Sequence, residues 1–114
     1  MKDLVIIGGG PAGLAAGLYA GRAKLDVLLL EKGAPGGLAA TTEGIENYPG
    51  FPEGVGGADL MEKMLAQAQK FGLEVKSAAV ESISWADGHF QVKTEDEVYP
   101  GLAVILATGA EPEL

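Results

Sequence analysis

Apolar and small residues follow an ordered pattern over residues 1–31. Asp3 to Ile7 is a short, mostly β-branched and aliphatic run, and glycines follow it at once. The next segment, Leu14 to Ala20, mixes small and large apolar residues, which suits a helix packed closely on a sheet. A second apolar run, Lys24 to Glu31, ends in an acid. The pattern predicts the strand–helix–strand unit of an α/β fold. The large residues of the helix are expected to pack in the core: Leu14, Leu18 and Tyr19.

A second helix is predicted near the middle of the chain. It opens at Gly56 and runs to Phe71, with Asp59 in its first turn and Gly72 at its C-terminal cap. Its apolar positions recur at helical spacing and form one packing face: Leu60, Met64, Leu65, Ala68 and Phe71. Leu73 to Lys76 predicts a short strand directly after this helix.

Short segments of alternating polarity predict an antiparallel β-meander. Asp87-Gly88 is a strong hairpin turn, and Trp85 before it is expected in the core. The apolar run Gly101–Leu106 predicts a further buried strand that ends in a glycine turn. The three segments of the meander are Ala79–Trp85, His89–Thr94 and Glu97–Tyr99.

The stretch from Lys32 to Gly57 does not fit any regular element. Its second half, Thr41 to Pro52, contains two prolines and two glycines but also Ile45, Tyr48 and Phe51. Long irregular stretches inside compact domains are usually functional or disordered, and apolar side chains argue against disorder. We therefore expect a binding loop here.

Composition narrows the possible partners and chemistry. The chain has 114 residues, 47% of them hydrophobic, which is enough for one small domain with a core. Its net charge of −8 disfavours nucleic acids and anionic membrane surfaces. With no cysteine it has no thiolate metal site or thiol redox centre, and His89, after the hairpin turn, is expected to be solvated, so no metal site is predicted. Without a long apolar run or a signal-peptide pattern, a cytoplasmic protein is expected.

The glycines after the first strand predict a dinucleotide-binding turn. Gly8, Gly10 and Gly13 have the spacing G-x-G-x-x-G between a strand and a helix. Gly8 permits the sharp turn, Gly10 leaves room for a pyrophosphate, and Gly13 and Gly17 let the helix approach the strand. The cofactor is expected along the turn and the helix N terminus: Gly8, Gly9, Gly10, Pro11, Ala12 and Gly13.

Glu31 is the expected partner of the ribose hydroxyls. It ends the second strand about 20 residues beyond the glycines, where an acid holds the ribose in this kind of unit. The alternative, a glycine-rich turn that binds nothing, is disfavoured because strand, helix, second strand and acid are all in register.

Two further motifs resemble a known family. Ala34-Pro35-Gly36-Gly37 and the stretch Thr41–Pro52, above all Glu46–Phe51, resemble the flavin-side loop of thioredoxin reductases. Thioredoxin-reductase-like ferredoxin–NADP reductases and peroxiredoxin-reducing flavoproteins are close relatives. Ala107-Thr108-Gly109 matches a motif of two-domain flavoproteins. The resemblance implies that the cofactor is FAD and the fold a Rossmann-like α/β FAD-binding domain, whose parallel sheet has the Asp3 strand at its centre and a three-stranded antiparallel β-meander on one face.

The resemblance also implies further cofactor contacts. Gly36 and Gly37 would lie by the ribityl chain and phosphate, Asn47 near the flavin, and the Val80 backbone at the adenine. Leu38 replaces the family's usual glutamine, which removes one polar contact to the cofactor. The remaining expected cofactor-binding residues are Lys32, next to Glu31, and Ala107, Thr108 and Gly109 at the mouth of the domain.

The resemblance implies a partial domain. In the family, an NADPH domain that carries Cys-x-x-Cys in thioredoxin reductases splits the FAD domain into two segments. Residues 1–114 are expected to be the first FAD segment alone, without the NADPH domain or the second FAD segment. Such a chain would bind FAD without turnover and with no catalytic residue, and thioredoxin or ferredoxin would be partners only of the full-length protein.

Two alternatives to this function remain open. One is a self-standing, non-catalytic flavin- or dinucleotide-binding module. The other is the NAD(P)-binding domain of a small dehydrogenase, against which the Asn47–Phe51 loop argues.

The Gly101–Leu106 strand predicts self-association. In the Rossmann order it pairs on one side with the Asp3 strand, and its other side would pair with the last strand of the second FAD segment. Without that segment the other side is expected to be an edge. The strand carries neither charge nor proline to protect that edge. A homo-oligomer is therefore expected.

Overall fold

The computed structural model describes residues 1–32 and 57–108. The predicted binding loop lies outside these ranges. Two helices and six strands are formed in the described ranges, and their bounds follow the predicted pattern closely. In chain order they are β1 (Lys2–Ile7), α1 (Pro11–Arg22), β2 (Val27–Glu31), α2 (Gly57–Lys70), β3 (Glu74–Ser77), β4 (Val80–Ala86), β5 (His89–Thr94) and β6 (Val98–Leu106).

The six strands form one mixed sheet in the order β3-β2-β1-β6-β5-β4. β1 pairs in parallel with β2 on one side and with β6 on the other, and β3 pairs in parallel with β2. β5 is antiparallel to both β6 and β4. The predicted Rossmann-like α/β fold, with the Asp3 strand at its centre and a β-meander attached, is confirmed.

The prediction of two separate segments on either side of Pro100 is wrong, because β6 is one continuous strand. Its first part pairs antiparallel with β5 and its second part pairs in parallel with β1, and Gly101 is in register with both Phe90 and Lys2. Pro100 has no backbone N–H to donate. It removes no hydrogen bond from the β1 ladder, because that pairing begins only at Gly101.

The sheet is covered differently on its two faces. On one face, α1 and α2 pack against β1 and β2. On the other, Val92 of β5 and the half-buried Tyr99 of β6 pack against Val5 and Leu28. The meander therefore covers one face of the parallel strands, as expected. The core of the helical face is formed by Leu4, Ile6, Leu14, Ala20, Val27, Leu29, Leu60, Met61, Ala68 and Leu73.

Three aromatic residues expected to pack in the core lie on the surface. Trp85 is 60% exposed, because β4 is the outermost strand, and its ring meets Phe90 edge-on at 4.8 Å between centroids. Tyr19 is 67% exposed and lines an open groove between α1 and α2. Phe71 lies after the end of α2 and is also exposed, whereas Met61, which was not predicted, is buried.

Small residues let α1 approach its neighbours, although not all as predicted. A Cβ on Gly13 would overlap the carbonyl oxygen of Gly8 at the end of β1. Gly17 instead faces a side chain, because its Cβ would lie 2.8 Å from Cδ2 of Leu73. Gly13 therefore sets the helix–strand distance, while Gly17 contacts the segment after α2.

We predict that Gly13→Ala destabilises the protein more than Gly17→Ala does. The alanine at position 13 meets backbone, which cannot move away, and overpacking of this kind costs about 1–3 kcal/mol or more. At position 17 the methyl group meets the end of the buried Leu73 side chain, which must shift, and a gain of about 0.5–1 kcal/mol of helix propensity offsets part of that cost. Urea unfolding of both variants measures the difference, and equal losses of stability would contradict it.

Candidate functional site

The turn between β1 and α1 has the geometry that the glycine spacing predicts. Gly8 has φ +111°, a conformation that side chains rarely adopt, and its N–H donates to the carbonyl of Leu30 at 2.9 Å. Gly10 is the N-cap of α1 in extended conformation, and Pro11 occupies the first turn. The chain thus reverses from strand to helix at the carboxyl end of the parallel strands, where α/β sheets bind ligands.

The N terminus of α1 is suited to an anion. Gly10 makes no side-chain cap and the first turn contains no acid. The first N–H groups of a helix lack intrahelical acceptors and lie at the positive end of its dipole. Because no side chain of α1 caps this end, its amide donors suit a phosphate group.

Glu31 lies against the glycine turn. It is the last residue of β2, which is in parallel register with β1, so it lies beside the end of β1. Its carboxylate Oε2 accepts a hydrogen bond from the N–H of Gly9. A Cβ on Gly9 would lie 3.1 Å from that oxygen, so the small residue leaves room for the acid.

The end of β6 completes the floor of this site. The N–H of Ala107 donates to the carbonyl of Ile7 at 2.8 Å, and a Cβ on Gly8 would overlap the Ala107 carbonyl. Thr108 follows at the edge of the same opening. Ala107 and Thr108 therefore lie beside the glycine turn.

A cavity of about 180 Å³ opens at this edge of the sheet. Ligand pockets for whole small molecules are typically ~300–1,000 Å³, so this cavity suits one end of an extended dinucleotide. Five of its lining residues are predicted site residues. The full lining is Ile7, Gly8, Leu30, Glu31, Lys32, Ala78, Ala79, Val80 and Thr108.

Sequence reasoning missed Ala78 and Ala79. They follow β3, which pairs in parallel with β2, and the N–H of Ala78 donates to the carbonyl of Glu31 at 3.0 Å. The rule that ligands lie at the carboxyl ends of parallel strands would have included this segment. The predicted site residues that lie outside the described ranges are Gly36, Gly37, Asn47 and Gly109.

The sequence of the chain matches a family model over residues 2–114. The description of that model is pyridine nucleotide-disulphide oxidoreductase. The chain belongs to this family. Its fold and sequence correspond to part of a thioredoxin reductase FAD-binding domain, and thioredoxin reductases are flavoproteins.

Individual thioredoxin reductases are similar to this chain in sequence and in structure. It is 44% identical over 115 residues to a thioredoxin reductase of Helicobacter pylori, and this match covers 99% of the chain and 37% of the relative. It is 45% identical over 114 residues to NADPH-dependent thioredoxin reductase 3 of Arabidopsis thaliana, and this match covers 96% of the chain and 22% of the relative. A crystal structure of Lactococcus lactis thioredoxin reductase superposes with a TM-score of 0.95 at 38% identity, over 100% of the chain and 37% of that structure's chain.

These matches favour the flavoprotein interpretation over the alternatives of a small dehydrogenase or a self-standing module. The chain spans well under half the length of each relative.

Among the residues that the structure describes, the groups with shifted pKa values lie away from the cavity. Hydrogen bonds to Asp26 and Glu74 raise the pKa of Lys2 at the opposite end of β1. Burial raises the pKa of Tyr99, which lies in the part of β6 that pairs with β5 and does not line the cavity. Neither group is placed for acid–base chemistry at the cavity.

Two kinds of site are absent from residues 1–32 and 57–108. No cluster of acids and histidine in these ranges could hold a metal ion. Neither of the helices described is long and apolar enough to cross a membrane.

We predict that Gly8→Ala strongly destabilises this oxidoreductase-family chain, whereas Gly88→Ala has a smaller effect. Both glycines have positive φ, so each alanine carries a conformational cost of roughly 1–2 kcal/mol. Only at position 8 does the new methyl group also overlap backbone, since Gly88 has open space. Thermal and urea unfolding give the two losses of stability. A loss at Gly88 that equals the loss at Gly8 would mean that the close approach of β1 and β6 is unimportant.

Proposed function

We propose that the chain binds FAD, with the pyrophosphate at the N terminus of α1 and the adenosine ribose at Glu31. One observation carries this proposal: the N terminus of α1, whose N-cap residue Gly10 has no side chain, the carboxylate of Glu31 and the cavity all lie at the same edge of the sheet. Each feature matches a different part of a dinucleotide. The family match supports FAD as the particular dinucleotide.

The residues at the glycine turn and the cavity fit FAD. At Gly10 a side chain would stand at the N terminus of α1, and at Gly9 it would crowd Glu31. The carboxylate of Glu31 can accept hydrogen bonds from ribose hydroxyls. The adenine end would enter the cavity beside the backbone of Val80, between the ends of β2 and β3. FAD, when bound, supplies a redox-active flavin, and this chain's residues bind and orient it.

Glu31 also supports FAD over NADP. NADP carries a phosphate on the 2′ position of the adenosine ribose, which proteins usually accommodate with an arginine. Here the position is held by a carboxylate, and two negative groups would repel each other. FAD has a free 2′-hydroxyl, which donates to the carboxylate.

The activity of the whole protein is a further proposal. The relatives named above are thioredoxin reductases, one of them NADPH-dependent. The chain contains no cysteine, so it supplies no dithiol for disulfide reduction. We infer that it is the first FAD segment of such a reductase, and that NADPH oxidation and contact with thioredoxin or ferredoxin depend on parts outside it. Its location is expected to be the cytoplasm.

We predict that the chain binds FAD more tightly than NAD or NADP. Isothermal titration of the purified chain with each nucleotide measures this, and the flavin absorbance of the complex gives a second readout. Tighter binding of NADP than of FAD would contradict the proposal.

Substitutions test where the cofactor lies. Gly10→Val is expected to abolish FAD binding and keep the fold, because φ −77° and ψ −171° are open to valine. Glu31→Ala is expected to cost about 1–3 kcal/mol of binding free energy, from lost charged hydrogen bonds. Glu95→Ala removes an exposed acid at the other end of the sheet and serves as a matched control. If the Gly10 variant binds FAD as the parent chain does, the site is wrongly assigned.

A further inference from the structure

Near its start, β4 carries one residue more than the strand it pairs with. Val80 lies opposite Thr94 and Ser82 lies opposite Lys93, so the two pairs are two residues apart on β4 but only one residue apart on β5. Glu81 is the extra residue, and it forms a β-bulge. Bulges redirect the strand that carries them, and they are frequent next to functional sites.

The bulge decides which residue of β4 faces the core. Val92 and Thr94 of β5 are buried, so the residues opposite them point to the same inner face of the strand pair. Val80 lies opposite Thr94 and packs against the core cluster that contains Val5. In a strand without the extra residue Glu81 would take this inner position, where burial of its carboxylate would be costly. Glu81 is exposed instead.

The bulge also decides where the backbone of Val80 points. The N–H of Thr94 donates to the carbonyl of Glu97 at 2.8 Å, so Thr94 directs its backbone groups towards β6. Along an antiparallel pair, opposite residues alternate between exchanging both backbone hydrogen bonds and making none with each other. Val80 therefore makes none with Thr94, and its N–H and C=O point away from β5. Without the extra residue, the alternation would turn these two groups towards β5.

The outward-facing backbone groups of Val80 match the hydrogen-bonding edge of adenine. Within residues 1–32 and 57–108 no strand pairs with β4 on the side away from β5, and Val80 lines the cavity at this edge of the sheet. Its N–H and C=O offer a donor and an acceptor on the same side of the strand. Adenine is complementary, because its amino group donates and an adjacent ring nitrogen accepts. Hypoxanthine, the base of inosine nucleotides, has a carbonyl oxygen in place of the amino group and would oppose the Val80 carbonyl.

We propose that Glu81 is a positioning residue for the choice of base. Because its carboxylate is excluded from the core, β4 keeps the bulge, and the bulge presents the backbone of Val80 to adenine. The site thereby prefers adenine nucleotides to hypoxanthine nucleotides, although Glu81 itself does not line the cavity. This role rests on the proposed function, in which the adenine end of FAD enters the cavity.

Titration of the 114-residue chain with ADP and with inosine diphosphate tests the proposal. The two nucleotides differ only at the base, so contacts to the pyrophosphate and ribose are the same for both. The parent chain should bind ADP about tenfold or more tightly, because the mismatched base leaves the Val80 carbonyl without a donor. In Glu81→Ile an apolar side chain can take the inner position opposite Thr94, so the bulge should be lost and the preference should fall to about threefold or less.

The same titrations separate this proposal from the proposed function. Equal binding of ADP and inosine diphosphate by the parent chain would overturn the role of Glu81 and leave the FAD site intact. If the parent chain bound neither of these nucleotides nor FAD, both proposals would be overturned.

Two matched variants distinguish loss of the bulge from other effects. Glu81→Gln removes the charge but keeps a polar side chain, so it should keep the bulge and the preference for ADP. Ser84→Ile places the same apolar side chain on an exposed position of β4 outside the bulge, and should also keep the preference. If either variant lost the preference as completely as Glu81→Ile, the proposal would be wrong.

The register of β4 can be measured by NMR without any nucleotide. In the parent chain the α-protons of Val80 and Thr94 should be in contact, because opposite residues that share no hydrogen bond have Cα atoms only ~4.5 Å apart. In Glu81→Ile, residue 81 should make this contact with Thr94 in place of Val80. A folded Glu81→Ile variant in which Val80 still contacts Thr94 would overturn the proposal, whatever its base preference.

Discussion

The site depends on how closely separate pieces of backbone approach each other at Gly8. Its N–H is bonded to the carbonyl of Leu30 in β2, and the position of its missing Cβ is filled by the carbonyl of Ala107 after β6. The carbonyl of Gly8 in turn lies where a Cβ on Gly13 would be. One residue without a side chain thereby fixes β1, β2, β6 and the start of α1 relative to one another. The N terminus of α1 and the cavity share an edge because of this contact.

An acidic chain can still offer an anion site, because the donors in this arrangement are backbone amides. Such donors carry no ionisable proton and need no basic side chain. Lys2, by contrast, forms ion pairs with Asp26 and Glu74 at the amino end of the sheet, away from the site. Glu31 is the acid at the site, and its contact with Gly9 holds it beside the turn.

Sequence reasoning succeeded where a signal lies within a short stretch of chain. The glycine turn, α1 and the position of Glu31 all follow from residues 1–31, and parallel register of β1 and β2 is enough to bring Glu31 to the turn. It failed where the answer depends on distant neighbours. Trp85 alternates like a core residue, yet within residues 1–32 and 57–108 β4 has a partner strand on one side only, and nothing near Trp85 in sequence reveals that. The continuity of β6 through Pro100 was missed for the same reason, since it depends on where β1 begins to pair.

Because β6 pairs with both β1 and β5, the order in which the strands are synthesised affects how the protein folds. β1 is made first, but one of its two neighbours is the last strand that the structure describes. Contacts between segments so far apart in sequence are slow to form, because a long loop must close before they gain any stabilisation. The β1–α1–β2 unit can assemble early on the ribosome, but its central strand keeps one bare side until residue 106 has emerged. During that interval the nascent chain exposes an apolar edge to its surroundings.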